Sequence, residues 1–131
     1  SAEAYLIAAE AAAQNAADNA AADDANLAEA RTYLKQLMAK RYAQAKYTQY
    51  AAELDTMQKA DLLKAIYNER TCELAFEGHR WFDLRRTTRQ QLSKTYGENS
   101  YVLEANDSRY TLRFPIEAVE ANPNIEKWEG K

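Results

Sequence analysis

Between Asn68 and Thr87 the sequence reads NERTCELAFEGHRWFDLRRT, which crowds carboxylates, guanidiniums and aromatic rings into one run. Glu73 and Glu77 stand four residues apart. At helical spacing that puts two carboxylates on one face, where a glycosidase-like acid and nucleophile could work. His79 has the chemistry of a general base. The same run carries Arg70, Arg80, Arg85 and Arg86. Guanidiniums this close keep both carboxylates ionised, which removes the protonated acid that glycosidic cleavage needs. No third group orients His79, no glycine-rich phosphate loop is present, and no second histidine offers metal-ligand spacing. The pattern points away from an enzyme and from a metal or cofactor site.

A structural use of the same residues is more economical. On a helix running from about Met57 to Phe76, Leu63, Ile66, Tyr67, Arg70, Leu74 and Glu77 share one face. Arg70 and Glu77 then sit on the apolar stripe, where a charge is tolerable only with a partner. The expected network joins Arg70, Glu73, Glu77, Arg80, Asp83 and Arg86, walled from water by Phe76, Trp81 and Phe82. Cys72 reads as a small half-buried residue, with nothing nearby to lower its pKa. Of nine tyrosines, Tyr47, Tyr50 and Tyr101 are the least obviously core and are candidates to stack on sugar rings.

The elements that would position these residues are mostly helical. AEAYLIAAEAAAQNAA places Tyr5, Leu6, Ala9, Ala12, Ala13 and Ala16 on one face of a first helix. A second helix, capped by Asp23 or Asp24, has a stripe of Leu27, Ala30, Leu34, Leu37 or Met38, and Arg41 or Tyr42. Together they form an antiparallel helix hairpin. QAKYTQYAAELDTMQ reads as a polar connection, with Asp55 and Gln58 placed for a capping box on the third helix. Leu62, Leu63, Ile66, Tyr67 and Leu74 form the buried side of that helix. Gly78 marks a break, followed by a further helical segment from His79 to about Leu92. SYVLEANDSRYTLRF suggests a small hairpin about the turn-rich Ala105–Ser108, and PIEAVEANP a short helical turn. Trp128 is expected to tuck the tail back onto the body.

Composition sets the outer bounds. The 131 residues suit one domain, and 47% hydrophobic content argues against intrinsic disorder. A net charge of −3 has the wrong sign for nucleic-acid binding. The single cysteine allows no intrachain disulfide. No apolar run approaches the roughly 20 residues that a membrane-spanning helix needs. No signal peptide precedes the first helix, so the chain reads as a piece of something longer or as a mature domain.

Three ordered blocks carry a family resemblance. LLKAIYNERTCELAFEGHRWFDLRRT, residues 62–87, resembles the signature of the SusD/RagB family, ER-x-x-EL-x-FEG-x-R-W-x-DL-x-R. Glu69, Arg70, Glu73, Leu74, Phe76, Glu77, Gly78, Arg80, Trp81, Asp83, Leu84 and Arg86 match it. AEAYLIAAEAA at the start is similar to the family's AE-x-YLI-x-AEA helix, and LRFPIEAVEANPNIEKWEG to its closing PIP-x-x-E-x-x-x-NP segment. Glu117 replaces the second proline of that segment, and Lys35 replaces an asparagine usual near the end of the second helix.

The resemblance implies a mainly all-α fold of tetratricopeptide-like antiparallel helix pairs with a small β-hairpin and coil C-terminal region. It implies that residues 1–131 are the C-terminal helical domain of a longer protein. Within it, 1–44 would be a tetratricopeptide-like pair, 56–95 the signature helices and 97–131 an irregular tail. It also implies a surface lipoprotein of the Bacteroidetes outer membrane, held by a lipid anchor outside this chain. There it would capture an oligosaccharide or other nutrient for a SusC-like, TonB-dependent transporter. The matching motifs are structural ones, so they bring no ligand contact. From a different class, a helical-repeat scaffold that binds a protein and no small molecule is the alternative.

Overall fold

A computed structural model describes residues 1–112, 114–122 and 124. The chain is mainly helical with one small antiparallel sheet, and it divides into two compact units, 1–78 and 79–131.

The first unit holds α1 (Ala2–Asn15), α2 (Ala25–Met38), α3 (Gln44–Thr56) and α4 (Lys59–Glu73). Helices α1 and α2 pack face to face, and α4 packs against both. Small side chains permit the close approach: Ala9, Ala12, Ala13 and Ala16 are buried against Leu27, Ala30, Leu34 and Met38. Tyr5, expected on the buried face, is 39% exposed. Asp24 starts α2, its Oδ1 accepting from the backbone N–H of Asn26 at 2.9 Å and of Leu27 at 3.2 Å.

The stretch expected as a polar connection is helix α3. Tyr47, Tyr50 and Leu54 recur at helical spacing, and Leu54 is wholly buried while both tyrosines pack on the core. Only one fully buried side chain anchors the helix, which is why its apolar signal is faint. The capping box does not form: Gln58 precedes α4 without a side-chain cap, and Asp55 accepts from Lys35 of α2 at 2.6 Å.

Arg31 is the least expected core residue. It is 5% exposed and lies on the α2 stripe between Leu27 and Leu34. Its Nε donates to the Leu54 carbonyl at 2.7 Å, Nη1 to that of Ala22 at 2.6 Å and Nη2 to that of Met57 at 2.5 Å. Leu54 and Met57 lie in the last turn and cap of α3, where the Leu54 carbonyl also accepts from the Met57 N–H at 3.2 Å and the carbonyls carry the negative end of the dipole. Lys59 serves α1 in the same way: Nζ donates to the carbonyls of Gln14 at 3.3 Å and Ala16 at 2.7 Å, and pairs with Asp18 at 2.8 Å.

Helix α4 stops at Glu73, short of the expected Phe76. The chain then turns through Phe76 (φ 66°) and Gly78 (φ 79°). For phenylalanine the left-handed conformation costs about 1–2 kcal/mol, and its side chain is fully exposed.

The second unit contains α5 (Arg80–Arg86), strands β1 (Leu92–Tyr96) and β2 (Asn99–Leu103), a 3-10 turn at Ser108–Tyr110, and α6 (Ile116–Ala121). Helix α5 is shorter than the expected segment, which ends in β1 instead. The hairpin falls earlier than expected, closing through Gly97 (φ 60°) and Glu98, with Leu92 opposite Leu103 and Tyr96 opposite Asn99. Glycine first in a two-residue loop is the type II′ pattern, whose twist suits the flanking strands. Asp107 starts the 3-10 turn that occupies the expected hairpin bend. Tyr110 is wholly buried, stacks on Trp81 at 5.1 Å and donates its hydroxyl to the Gln90 carbonyl. Trp128 lies outside the described residues.

Replacing Arg31 by Met keeps the apolar stem and removes a charged donor from three carbonyls, of which that of Leu54 retains the Met57 N–H. Chemical denaturation should report a loss of about 3 kcal/mol or more. An unchanged unfolding midpoint would show that water serves those carbonyls equally well.

Candidate binding cleft

The signature residues are spread among several partners. Arg70 is 7% exposed and reaches Glu3 of α1, Nη2 to Oε1 at 3.2 Å. Glu73 binds Arg41, from the turn after α2, through two parallel contacts: Nη2 to Oε1 at 2.6 Å and Nε to Oε2 at 2.9 Å. Both ends of this fork shift in the expected sense. The Arg41 hydrogen bond and charge hold the Glu73 carboxyl below its usual range against partial desolvation, and Glu73 raises the guanidinium. Asp83 pairs with Arg86 one turn along α5, at 2.8 Å. Glu77 and Arg80 are exposed. Because α4 ends at Glu73, Glu77 does not continue its apolar stripe, and Glu73 and Glu77 do not share a helix face. Phe76 and Phe82, expected as walls, are 107% and 62% exposed.

The stripe on α4 runs through Leu62, Ala65, Ile66, Glu69 and Arg70. Of the expected face, Leu62, Ile66, Arg70 and Leu74 are buried, while Leu63 and Tyr67 are half-buried, so the stripe is shifted toward Ala65 and Glu69. That shift buries Glu69, which is 7% exposed. Glu69 accepts the hydroxyl proton of Tyr42, and this hydrogen bond, then burial and the Glu69 charge, push the Tyr42 phenol far above its ordinary range.

Around this pair lies a cleft of about 370 Å³ between α3 and α4. Lys46, Gln49, Tyr50 and Glu53 line it from α3; Asn68, Glu69 and Cys72 line it from α4, with Tyr42 at one end. Tyr42 and Tyr50 meet edge to face, centroids 6.1 Å apart and planes at 61°. Burial first, then the Glu69 and Glu53 charges, raise the Tyr50 phenol as well. Gln49 donates to Glu53 at 3.1 Å. Rings beside amides and carboxylates in a space of this size suit a small polar ligand. Cys72 is exposed at this cleft.

The structure separates the three tyrosines proposed from sequence. Tyr50 lines the cleft. Tyr47 is half-buried on the core of the same unit. Tyr101 stands on β2 opposite Lys94, 60% exposed, in the second unit. Sequence reasoning missed Glu69, Tyr42 and Glu53 as neighbours. Glu69 was findable, three residues beyond Ile66 and seven beyond Leu62, but its partner depended on where α3 turned.

The sequence model of the SusD family matches residues 1–127. The chain belongs to the SusD family. Proteins of this family bind ligands and are not enzymes. A comparison with curated proteins gave no match. In this SusD-family chain no described helix is long and apolar enough to cross a membrane, and no described group of acidic, histidine and cysteine side chains is arranged to hold a metal ion.

Tyr42 supplies a test with a defined sign. Its folded pKa is raised above the ordinary 10.0. Its contribution to stability is therefore complete below pH 10 and is lost as pH climbs through the higher folded value. Tyr42→Phe should cost about 1–3 kcal/mol at neutral pH by removing a donor from a buried carboxylate. In ultraviolet titration the missing phenolate should come from the most alkaline part of the curve. A phenol lost from the ordinary tyrosine range would mean that Tyr42 does not donate to Glu69.

Proposed function

We propose that this chain is part of a nutrient-binding protein, with a glycan as its nutrient, working at the outer-membrane surface beside a TonB-dependent, SusC-like transporter. Membership of the SusD family across residues 1–127 carries this proposal. The protein would be a surface lipoprotein attached by a lipid anchor, passing its ligand onward without chemical change.

The α3–α4 cleft supports ligand capture. Tyr50 offers an aromatic ring to a sugar face, and Gln49 and Asn68 offer amides to its hydroxyls. Tyr47 and Tyr101 are the weaker contact candidates, one engaged with the core and the other on the hairpin. The Arg70, Glu73, Glu77, Arg80, Asp83 and Arg86 set is proposed to stabilise the fold and to leave ligand contact to others. The alternative, a scaffold that holds a protein partner and no small molecule, draws on the packed α1–α2 pair.

A calorimetric titration of the full-length protein with an oligosaccharide panel separates these proposals. Binding to at least one member is expected, with the sugar recovered intact. Tyr50→Ala should weaken it about tenfold, equivalent to about 1.4 kcal/mol. Silence across the panel would discard the glycan assignment and favour the scaffold. Release of shorter sugars would contradict a purely binding role.

A further inference from the structure

We propose that the α3–α4 cleft selects a cationic ligand, the protonated amine of an aminated sugar. This rests on the nutrient-binding function above and names the chemical class the cleft would take.

The cleft presents two carboxylates, Glu53 and Glu69, against one ammonium, Lys46. They differ in kind. Glu69 is 7% exposed and fixed by the Tyr42 hydroxyl, whereas Glu53 is exposed on α3 and bonded to Gln49. One carboxylate is thus pre-positioned at the wall and the other is presented from the opposite helix. Tyr42 and Tyr50, an edge-to-face pair, add two aromatic rings to the lining. A cation beside aromatic faces and carboxylates is attracted by both, and more strongly as the wall excludes water.

A neutral pyranose in this space would displace water from Glu53 and Glu69 and return no charge to them. An ammonium on the ring answers both, while the remaining hydroxyls meet Gln49 and Asn68 and the ring lies against Tyr50. Selectivity then arises as much from rejecting neutral sugars as from attracting the amine. The exposed Lys46 opposes the cation, which gives the test a substitution of opposite sign.

The experiment titrates the full-length protein by calorimetry with glucosamine, at a pH where its amine is protonated, and with glucose and N-acetylglucosamine as neutral controls. Glucosamine should bind about tenfold tighter than either. Glu53→Gln should reduce that advantage several-fold, and Lys46→Gln should enlarge it. Both side chains are exposed, so unchanged melting curves are expected and loss of fold does not confuse the result. Equal affinity for the three sugars, or indifference to both substitutions, overturns the amine site. If neutral oligosaccharides still bind, nutrient capture stands without it; if no sugar of either kind binds, both fall.

Discussion

A guanidinium with no carboxylate beside it organises the first unit. Arg31 leaves α2 at a core position and satisfies carbonyls of Ala22, Leu54 and Met57. Its charge is answered by dipoles at the end of α3. Arginine suits this because its planar fork reaches several fixed acceptors at once and remains charged when buried. Lys59 applies the same principle at the end of α1, where the carbonyls of Gln14 and Ala16 would otherwise depend on water. Two cations on two helix ends thus fix where α1 and α3 stop, and hence where α4 begins.

Helix α4 then distributes its charged residues to different neighbours. Arg70 reaches α1, Glu73 takes Arg41 in a fork, and Glu69 takes Tyr42 from the same turn after α2. Most exposed ion pairs contribute little. These carry more positional information because one member of each is drawn toward the interior. Glu69 also lines the cleft, where the proposed ligand would meet a carboxylate already held by Tyr42. Framework and cleft share that side chain, so the shape of the cleft depends on the register of α4.

Much of this was legible in sequence. The alanine face of α1, the Asp24 cap of α2 and the break near Gly78 follow from propensity and backbone chemistry local to each residue. The SusD signature identified the family. Helix α3 was missed because only Leu54 of its residues is fully buried, and polar residues around its tyrosines mimic a loop. On α4 the burial of Leu62, Ile66 and Arg70 followed from helical spacing, whereas Glu69 was left off the stripe and Glu77 put on it because the helix was taken to run past Glu73. Leu54 and Met57 for Arg31, Tyr42 for Glu69 and Arg41 for Glu73 are partners 23–32 residues away. No local period encodes such pairings; they appear once the helices pack.

The proposed division of labour therefore runs within the signature segment: Arg70 and Glu73 hold the frame, while Glu69 lines the candidate cleft with residues of α3. The most direct test is to introduce Arg70→Met into the full-length protein and measure melting temperature and glycan affinity on the same sample. Arg70 is buried, pairs with Glu3 and does not line the cleft. A clearly lower melting temperature with glycan affinity unchanged at a temperature where the variant is folded is the expected result. Lost affinity with wild-type melting would place Arg70 in the binding site and contradict this division of labour.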